Sequence, residues 1–286
     1  MRVVICPDSF KGSLSAVDAA NAIKAGVKQA LPAVVTDLIP LADGGEGTVD
    51  AFVNALDGEI IKTQVTGPLG EPVEAFYGVV DNGCTAVIEM AKAAGLHLVP
   101  DTSRDPRYTT TYGVGELILH AYERGCRRFI VGIGGSATND GGAGAMSALG
   151  IRFLDKKGQV LTDGGAALAQ LEKIDISGMK LDPNEIELRV ACDVTNPLIG
   201  LTGASAVYGP QKGATPDIVA ELDAALTNYA QVIKSDLGTD IAYLPGAGAA
   251  GGLGGGLAAF LGGRLESGID IVLDVTNYDE RIKDAD

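Results

Sequence analysis

The sequence predicts an α/β fold built from two α/β domains, and three observations support this. Short runs of β-branched residues alternate with stretches of helical periodicity at the start of the chain, the order expected of a parallel sheet with helical crossovers. After residue 58 this order gives way to strands separated by Gly and Pro turns, which is typical of antiparallel pairing. The length of 286 residues and a hydrophobic content of 46% are enough for two domains with their own cores.

The N-terminal segment predicts two βα units of a Rossmann-like sheet. The run "RVVICPD" is typical of a buried strand, and "SLSAVDAANAIKAGVKQAL" predicts a helix that Ser13 or Ser15 caps. A second strand over "VVTDLIPLA" and a second helix over "GTVDAFVNAL" complete the βαβα order. We therefore expect the two strands to pair in parallel.

The rest of the chain predicts a mixed sheet flanked by helices. We expect antiparallel strands over "EIIKTQVTGPLGEPVEAFYGVV" and "CTAVIEMA", further strands over "RRFIVGIGG" and "IELRVACDV", and a hairpin over "IRFLDKKGQVL". Helices are predicted over "GVGELILHAYERGC", "DGGAGAMSALG" and "GGLGGGLAAFLG", and the longest over "PDIVAELDAALTNYAQVIKSDLG", between Pro216 and Gly238. The last stretch, "SGIDIVLDVTNYDERIKDAD", predicts a strand or turn that leads into a short helix.

The change of pattern after residue 58 indicates a different sheet or domain. The chain stops where a βα protein would continue into another strand. We therefore expect the Rossmann-like sheet to be incomplete in this chain.

Composition excludes several classes of function. The net charge of −15 argues against nucleic-acid binding, because phosphate contacts need clustered Lys and Arg. No run of about 18 apolar residues predicts a membrane span. The cysteines are widely spaced with no CxxC pair, and neither histidine lies in a zinc-ligand pattern, so we expect free thiols in a reducing cytoplasm. These residues are Cys6, Cys84, Cys126, Cys192, His97 and His120.

The stretch "RFIVGIGGSATNDGGAGAMSALG" predicts an anion-binding turn between a strand and a helix. Glycines at such a turn let backbone N–H groups approach an anion, and a helix N-terminus adds partial positive charge. The motif is neither a Walker A sequence nor a clean GxGxxG. The alternative is a tight turn that serves only close helix–sheet packing. The candidate phosphate-binding residues are Gly134, Gly135, Ser136, Thr138, Asn139, Asp140 and Gly141.

Polar side chains follow the ends of other predicted strands and loops. The segment "CPDSFKGSL" carries Asp8, Ser9 and Lys11, where the alternative for Lys11 is an exposed loop lysine. In "LADGGEGT" two carboxylates lie among glycines, which suits Mg²⁺ with phosphate oxygens completing its shell; they are alternatively acids at a helix N-terminus. "ACDVTNPL" and "YGPQKGAT" add further polar loops. The residues of these last three segments are Asp43, Glu46, Asp193, Asn196, Gln211 and Lys212.

Together these motifs resemble one known family. "PDSFKGSLSA", "LADGGEGT", "GIGGSATNDGGAGAMSALG", "CDVTNPLIG", "YGPQKGA" and "PGAGAAGGLGGGL" occur in this order in the bacterial glycerate kinases of type I, the glycerate 2-kinases, and "TTTYGVGELI" and "ESGIDIVLD" fit as well. The resemblance implies ATP- and Mg²⁺-dependent phosphorylation of D-glycerate to 2-phosphoglycerate in a cleft between two α/β domains. It also implies that residues 1–59 and 266–286 form a discontinuous Rossmann-like domain and that residues 60–265 form an inserted mixed α/β domain. The family continues beyond the end of this chain with a further glycine- and acid-rich motif.

Phosphoryl transfer needs positioning and charge neutralisation more than covalent chemistry, and the candidate residues suit this. We expect the turn at 134–142, with Gln211 and Lys212, to hold phosphate. Catalytic candidates are Lys11, which would stabilise the transferring group, and Asp43 and Asp193, which would bind Mg²⁺ with Glu46 or accept the glycerate hydroxyl proton. Candidates for binding glycerate are Asp8, Ser9, Lys11, Arg107 and Thr110.

Other functions remain open at this point. The same turns would serve a non-catalytic protein that binds small organic acids, although carboxylates among the anion-binding loops disfavour a pure anion binder. A kinase of another hydroxy acid, or one that forms the 3-phosphate, is a further alternative. Small-molecule substrates are the expected partners, with no nucleic acid and no membrane, in a monomer or a homodimer.

Overall fold

The computed structural model describes residues 1–10 and 13–286 and confirms a mixed α/β fold. The strands are β1 (Arg2–Ile5), β2 (Val35–Leu38), β3 (Glu59–Thr66), β4 (Pro72–Val80), β5 (Thr85–Glu89), β6 (Arg128–Gly132), β7 (Arg152–Leu154), β8 (Lys173–Asp175), β9 (Glu187–Ala191) and β10 (Arg264–Glu266). The α-helices are α1 (Ala16–Ala30), α2 (Thr48–Ala55), α3 (Ala91–Ala94), α4 (Tyr112–Glu123), α5 (Ala143–Ala148), α6 (Ala204–Tyr208), α7 (Pro216–Leu237), α8 (Leu253–Leu261), α9 (Gly268–Val275) and α10 (Tyr278–Ile282).

A six-stranded mixed sheet in the order β10-β9-β6-β5-β4-β3 forms the centre of the molecule. Its strands β5, β6, β9 and β10 run parallel to one another, whereas β3, β4 and β5 pair antiparallel. This confirms the antiparallel section predicted after residue 58. Separately, β1 and β2 pair in parallel, as predicted, and β7 pairs antiparallel with β8.

Apolar cores lie on both faces of the six-stranded sheet. In β5, Ala86 and Ile88 face the larger core with α4, α5, α7 and α8, whereas Val87 faces a smaller core with Phe52 of α2 and Ile271 of α9. This alternation follows from the period of two in a strand. A parallel strand covered on both faces is apolar along its length, and all five residues of β5 are buried.

The helix boundaries follow local capping chemistry. Ser15, one of the two predicted caps, accepts a hydrogen bond from the Asp18 N–H at the start of α1. Thr215 caps α7 in the same way, and Gly238 ends it with a positive φ of 74°. The longest predicted helix is therefore confirmed with its predicted boundaries.

Two predicted elements are wrong in part. The stretch after Ser267 is the helix α9 and not a strand, because Ile271, Val272 and Val275 fall on one helical face and pack against the smaller core. The predicted hairpin over 151–161 is reduced to one bridge between Leu154 and Val160. The regular partner of β7 is β8, which lies further along the chain and was not predicted.

The packing of α2 and α9 bears on the predicted domain division. Both helices come from segments assigned to the Rossmann-like domain, at 1–59 and 266–286, yet both pack on the six-stranded sheet of residues 60–265. The division into these two domains stays a prediction. In the part of the chain described above, β1 and β2 form a sheet of two strands.

Candidate active site

The parallel strands β5, β6, β9 and β10 end at one edge of the sheet, and a loop from the N-terminal segment lies against this edge. The loop of residues 43–47 approaches so closely that a Cβ on Gly132 would overlap the Gly44 carbonyl oxygen. A Cβ on Gly134 would lie 3.3 Å from the Gly45 Cα. Glycines in "LADGGEGT" and "GIGGS" are thus required for close approach of two backbones. In open α/β sheets this edge is where ligands bind.

The backbone carbonyl of Asp43 and the side chain of Asp193 both lie against Gly268. The Gly268 N–H donates to Asp193 Oδ1 at 3.0 Å, and a Cβ on Gly268 would lie 3.1 Å from Asp193 Oδ2 and overlap the Asp43 carbonyl oxygen. The Asp43 side chain accepts from the Gly45 N–H at 2.9 Å. Both aspartates and Glu46 are exposed. Gly268, which lies in the motif "ESGIDIVLD" but was not among the predicted site residues, holds this arrangement at the N-terminus of α9.

Glu89 is a buried carboxylate at the same edge that the sequence analysis missed. Its side chain is 2% exposed, and Oε1 accepts from the N–H groups of Gly47 (3.1 Å) and Val49 (2.9 Å). Oε2 lies 3.3 Å from Lys92 Nζ in an ion pair without hydrogen-bond geometry. Burial raises the pKa of Glu89, opposed by the Val49 N–H and the Lys92 charge. An acidic residue at the end of an otherwise apolar strand was the available signal.

In the turn at 134–142, Asp140 organises the backbone from inside. Its side chain is fully buried and accepts from the Thr111 N–H and hydroxyl (both 2.8 Å), the Gly142 N–H (3.1 Å) and the Gly144 N–H (3.2 Å). Burial raises the pKa of Asp140, and these four donors oppose the shift. The carboxylate faces the interior in this structure, away from the cleft where a phosphate would bind.

The N–H groups at the N-terminus of α5 have partners within the protein. Those of Gly142 and Gly144 donate to Asp140, and that of Ala145 donates to the Thr111 hydroxyl at 2.9 Å. Phosphate binding by this helix N-terminus stays a prediction. Only Gly134 and Gly135 of the turn are exposed. The part of this turn that is open to a phosphate is thus its first half.

The second half of the turn packs against the glycine-rich segment 246–256. The Gly141 N–H donates to the Gly251 carbonyl at 3.0 Å, and a Cβ on Gly252 would lie 2.8 Å from the Gly141 Cα. Gly251 and Gly252 have φ values of 67° and 96°, which favour glycine. The glycines of the segment "PGAGAAGGLGGGL" are therefore buried and serve close backbone packing.

Lys212 lies beneath the turn, 1% exposed. Its Nζ donates to Ser136 Oγ at 2.7 Å and to the Thr138 carbonyl at 2.6 Å. Burial lowers the pKa of Lys212 to about 7, and the Asp140 carboxylate opposes this shift. Thr138 and Asn139 are also completely buried, and the Asn139 amide donates to Ser205 Oγ at 2.9 Å. These predicted phosphate ligands form the support of the turn in this structure.

The other candidates are distributed around the cleft. Asp8 and Ser9 are exposed close to the Asp43 loop, because the Leu41 N–H donates to the Pro7 carbonyl at 2.9 Å. Gln211 is exposed beside Lys212. Lys11 lies outside the described residues.

Three of the polar residues noted in the sequence already have partners in the protein. Arg107 forms a bidentate ion pair with Asp105 at 3.0 and 2.7 Å. Thr110 is buried, and its hydroxyl accepts from the Tyr112 N–H at 3.2 Å. Asn196 bridges its own loop by donating to the Thr202 carbonyl at 2.9 Å.

The acidic edge was tested for its fit to Mg²⁺. Among residues 1–10 and 13–286, no cluster of three or more His, Cys, Asp or Glu side chains is arranged to hold a metal ion. Mg²⁺ bound with a nucleotide needs only one or two protein carboxylates, since phosphates and water supply the other ligands. Asp43 and Asp193, exposed on either side of Gly268, meet this smaller requirement.

In the same described part of the chain, no helix is both long and apolar enough to span the bilayer.

A sheet edge with two exposed carboxylates beside an open glycine turn is the place where open α/β proteins bind ligands. The sequence model of the glycerate kinase family matches residues 3–286. The glycerate 2-kinase of Escherichia coli K12 is 52% identical over 100% of this chain and 75% of its own length. The glycerate kinase of Halalkalibacterium halodurans is also 52% identical, over 99% and 75% of the two chains. The chain belongs to the glycerate kinase family.

A solved structure confirms the fold. The crystal structure of a Salmonella typhimurium LT2 protein assigned as a glycerate kinase 2 superposes with a TM-score of 0.98 at 52% identity. The match covers 100% of this chain and 76% of the other.

Proposed function

We propose that this protein transfers the terminal phosphoryl group of ATP to D-glycerate and that the product is 2-phosphoglycerate. The observation that carries the proposal is the meeting of Asp43, Asp193 and the open Gly134–Gly135 segment at one sheet edge in a chain 52% identical to a glycerate 2-kinase. Acidic residues next to a phosphate turn fit a kinase better than a pure anion binder, since carboxylates repel an anion that no cation accompanies.

Different residues have different roles in the proposed reaction. The first half of the turn would hold a phosphate, and Lys11 would stabilise charge on the transferring group. Asp43 and Asp193 would hold Mg²⁺, which when bound neutralises charge on the phosphate oxygens. One of these carboxylates would alternatively accept the proton of the glycerate hydroxyl. Their exposure leaves both open to substrate.

Recognition of glycerate is proposed for the side of the cleft near the β1–α1 loop. Asp8 and Ser9 are exposed there and can bind the substrate hydroxyls, whereas Lys11 would pair with the carboxylate. Arg107 and Thr110 are retained as candidates with a condition. Arg107 must exchange its Asp105 partner for the substrate, and Thr110 must become accessible.

The experiment is a coupled assay of ADP release over a panel of hydroxy acids, followed by NMR of the product. We expect turnover that requires ATP, Mg²⁺ and D-glycerate, and a product whose phosphoryl group is esterified to the C2 hydroxyl. Turnover with glycerol, tartrate or glucose but not glycerate would contradict the substrate, and a C3 ester would contradict the product. Binding of glycerate with neither nucleotide binding nor turnover would favour the organic-acid-binding alternative. A reducing cytoplasm is proposed as the location, consistent with four free cysteines.

A further inference from the structure

The side chain of Lys212 has a geometry that suggests an indirect role in phosphate binding. Lys212 is 1% exposed, so its ammonium group does not reach the cleft. Ser136, to which it donates, follows directly after the exposed Gly134 and Gly135. An ammonium group has no lone pair, so Ser136 Oγ must be the acceptor of this hydrogen bond. The hydrogen of the Ser136 hydroxyl is then left for a different acceptor.

We propose that Lys212 is a positioning residue that acts on the bound nucleotide through Ser136. Lys212 holds Ser136 Oγ from below, and the Ser136 hydroxyl donates its hydrogen to a phosphate oxygen at Gly134 and Gly135. The second hydrogen bond of Lys212, to the Thr138 carbonyl at 2.6 Å, fixes the backbone on the other side of the same serine. This inference rests on the proposed binding of ATP at this turn.

The charge of Lys212 strengthens the effect. A donor polarised by a neighbouring cation gives a stronger hydrogen bond to an anion, and burial reduces the screening of that charge. The opposing charge is Asp140, whose carboxylate is itself held by four donors. Arg104 packs its backbone against Gly213 and pairs its guanidinium with Asp101 at 2.7 Å. Tyr229 stays neutral because burial, and secondarily Asp140, raise the pKa of its hydroxyl.

The predicted pH dependence follows from this arrangement. Because burial lowers the pKa of Lys212 to about 7, its charge is lost as the pH rises through that value. The neutral amine keeps hydrogens for Ser136 and Thr138 but gains a lone pair, so the Ser136 hydroxyl can then donate to Lys212 instead of to a phosphate oxygen. Nucleotide affinity of the wild type should therefore weaken above about pH 7. This pH-dependent loss of affinity should be absent in Ser136→Ala.

The test is a double-mutant cycle with Ser136→Ala and Lys212→Gln, which removes the charge but keeps a donor. The affinity for ADP and a non-hydrolysable ATP analogue is measured by calorimetric titration from pH 6 to pH 9, with the melting temperature of each variant. We expect each single variant to lose roughly ten- to a hundred-fold in affinity, the range for a hydrogen bond to a charged group. The double variant should lose no more than the weaker-binding single variant, since both changes remove the same contact.

The control is Lys180→Gln, at a lysine that donates to the Ala148 carbonyl at 3.0 Å outside the turn; its affinity should match the wild type. Additive losses in the double variant, or a Lys212 variant with a lower melting temperature and unchanged affinity, would overturn the proposal. If Lys212→Gln fails to fold, the pH profiles of nucleotide affinity decide. A loss of affinity near pH 7 that is as large in Ser136→Ala as in the wild type also overturns the proposal. A wild type that binds nucleotide but does not phosphorylate glycerate contradicts the proposed function alone.

Discussion

Asp140 shows how one side chain can determine the shape of a whole turn. A buried carboxylate is tolerated only when hydrogen bonds replace its hydration, and Asp140 receives four. It thereby takes the N–H groups that the sequence pattern would assign to a phosphate. The polar residues of a glycine-rich motif can therefore serve the protein's own backbone, and only burial separates this role from ligand binding.

We predict that Asp140→Asn destabilises the protein by about 2–3 kcal/mol, because an amide group would face a backbone or hydroxyl donor in a buried site. The matched control is Asp155→Asn, where a half-buried aspartate accepts from the N–H groups of Lys157 and Gln159 near the surface. Water can replace those bonds, so the control should change the free energy of unfolding by less than about 0.5 kcal/mol. Urea denaturation measures both. Equal effects at the two sites would contradict the structural role of Asp140.

Glu89 tests whether an acceptor or a charge matters at the sheet edge. Its Oε1 holds the start of α2, and with it the loop that carries Asp43. Glu89→Gln keeps this acceptor and removes the negative charge, which burial already disfavours because it raises the pKa of Glu89. We therefore expect kcat/KM to stay within about threefold of the wild-type value. Glu89→Ala leaves both N–H groups without a partner and should cost about 1–2 kcal/mol of stability and at least roughly tenfold in kcat/KM. Steady-state kinetics that find Gln as damaging as Ala would instead give the charge a part in the chemistry.

At the scale of elements, α9 positions the acidic site through its first residue. Gly268 lies between the Asp43 carbonyl and the Asp193 carboxylate, with no room for a side chain. In α1, by contrast, a Cβ on Gly26 would meet nothing within 4 Å. The two helical glycines therefore have different reasons to be present, although neither requires a positive φ.

This contrast predicts opposite results for the same substitution. Gly26→Ala should stabilise the protein by about 0.5–1 kcal/mol, the difference in helix propensity. Gly268→Ala should lower kcat/KM up to roughly a hundredfold, because the loop at 43–47 must move away from Asp193 and displacements of about 1 Å have costs of that size. Thermal unfolding and steady-state kinetics measure the two effects. Wild-type turnover in Gly268→Ala would show that this contact does not position the site.

The elements that could be predicted from the sequence are those that local chemistry determines. The periodicity and caps of α7 are contained in "TPDIVAELDAALTNYAQVIKSDLG". The apolar run of β6 is followed by glycines, a pattern typical of a strand that leads into a tight turn. The helix α9 could not be distinguished from a strand, because the apolar residues of "IDIVLDV" fit both the period of a strand and the period of a helix. Only the packing against neighbouring elements distinguishes the two. The antiparallel pairing of β7 with β8 joins segments about twenty residues apart, which no local pattern encodes.

The candidate site was predictable in location but not in detail. Polar residues after parallel strands of one sheet meet at one edge by topology. Asp43 and Asp193 follow β2 and β9, which belong to different sheets, so their approach depends on tertiary contacts. The burial of Lys212 and Asp140 likewise depends on contacts made by α4, α7 and the 210–213 segment. For the same reason, no motif indicated the role of Glu89, and the motif that contains Gly268 did not indicate the close contacts of that glycine. The catalytic and binding roles themselves stay predictions.

At the scale of the whole molecule, the N-terminal unit β1–α1–β2 is built differently from the six-stranded sheet. In β1 only Ile5 is buried, Val35 of β2 is 63% exposed, and α1 buries only small alanines. In β5 every residue is buried. Two strands with little apolar burial are only marginally stable, and local opening is easiest where few apolar contacts resist it.

We therefore predict that amide hydrogens of β1 and β2 exchange at least roughly a hundredfold faster than those of β5 and β6, because local opening there breaks few apolar contacts. The pair β7–β8 provides the matched control. It also has two strands, but Phe153 and Ile174 pack into the larger core, with 3% and 6% exposure. Hydrogen–deuterium exchange with peptide-level mass spectrometry should place β7–β8 closer to the six-stranded sheet. If β1–β2 and β7–β8 exchange alike, strand number and not burial governs opening; if β1–β2 is as protected as β5, the N-terminal unit is held by contacts stronger than its burial indicates.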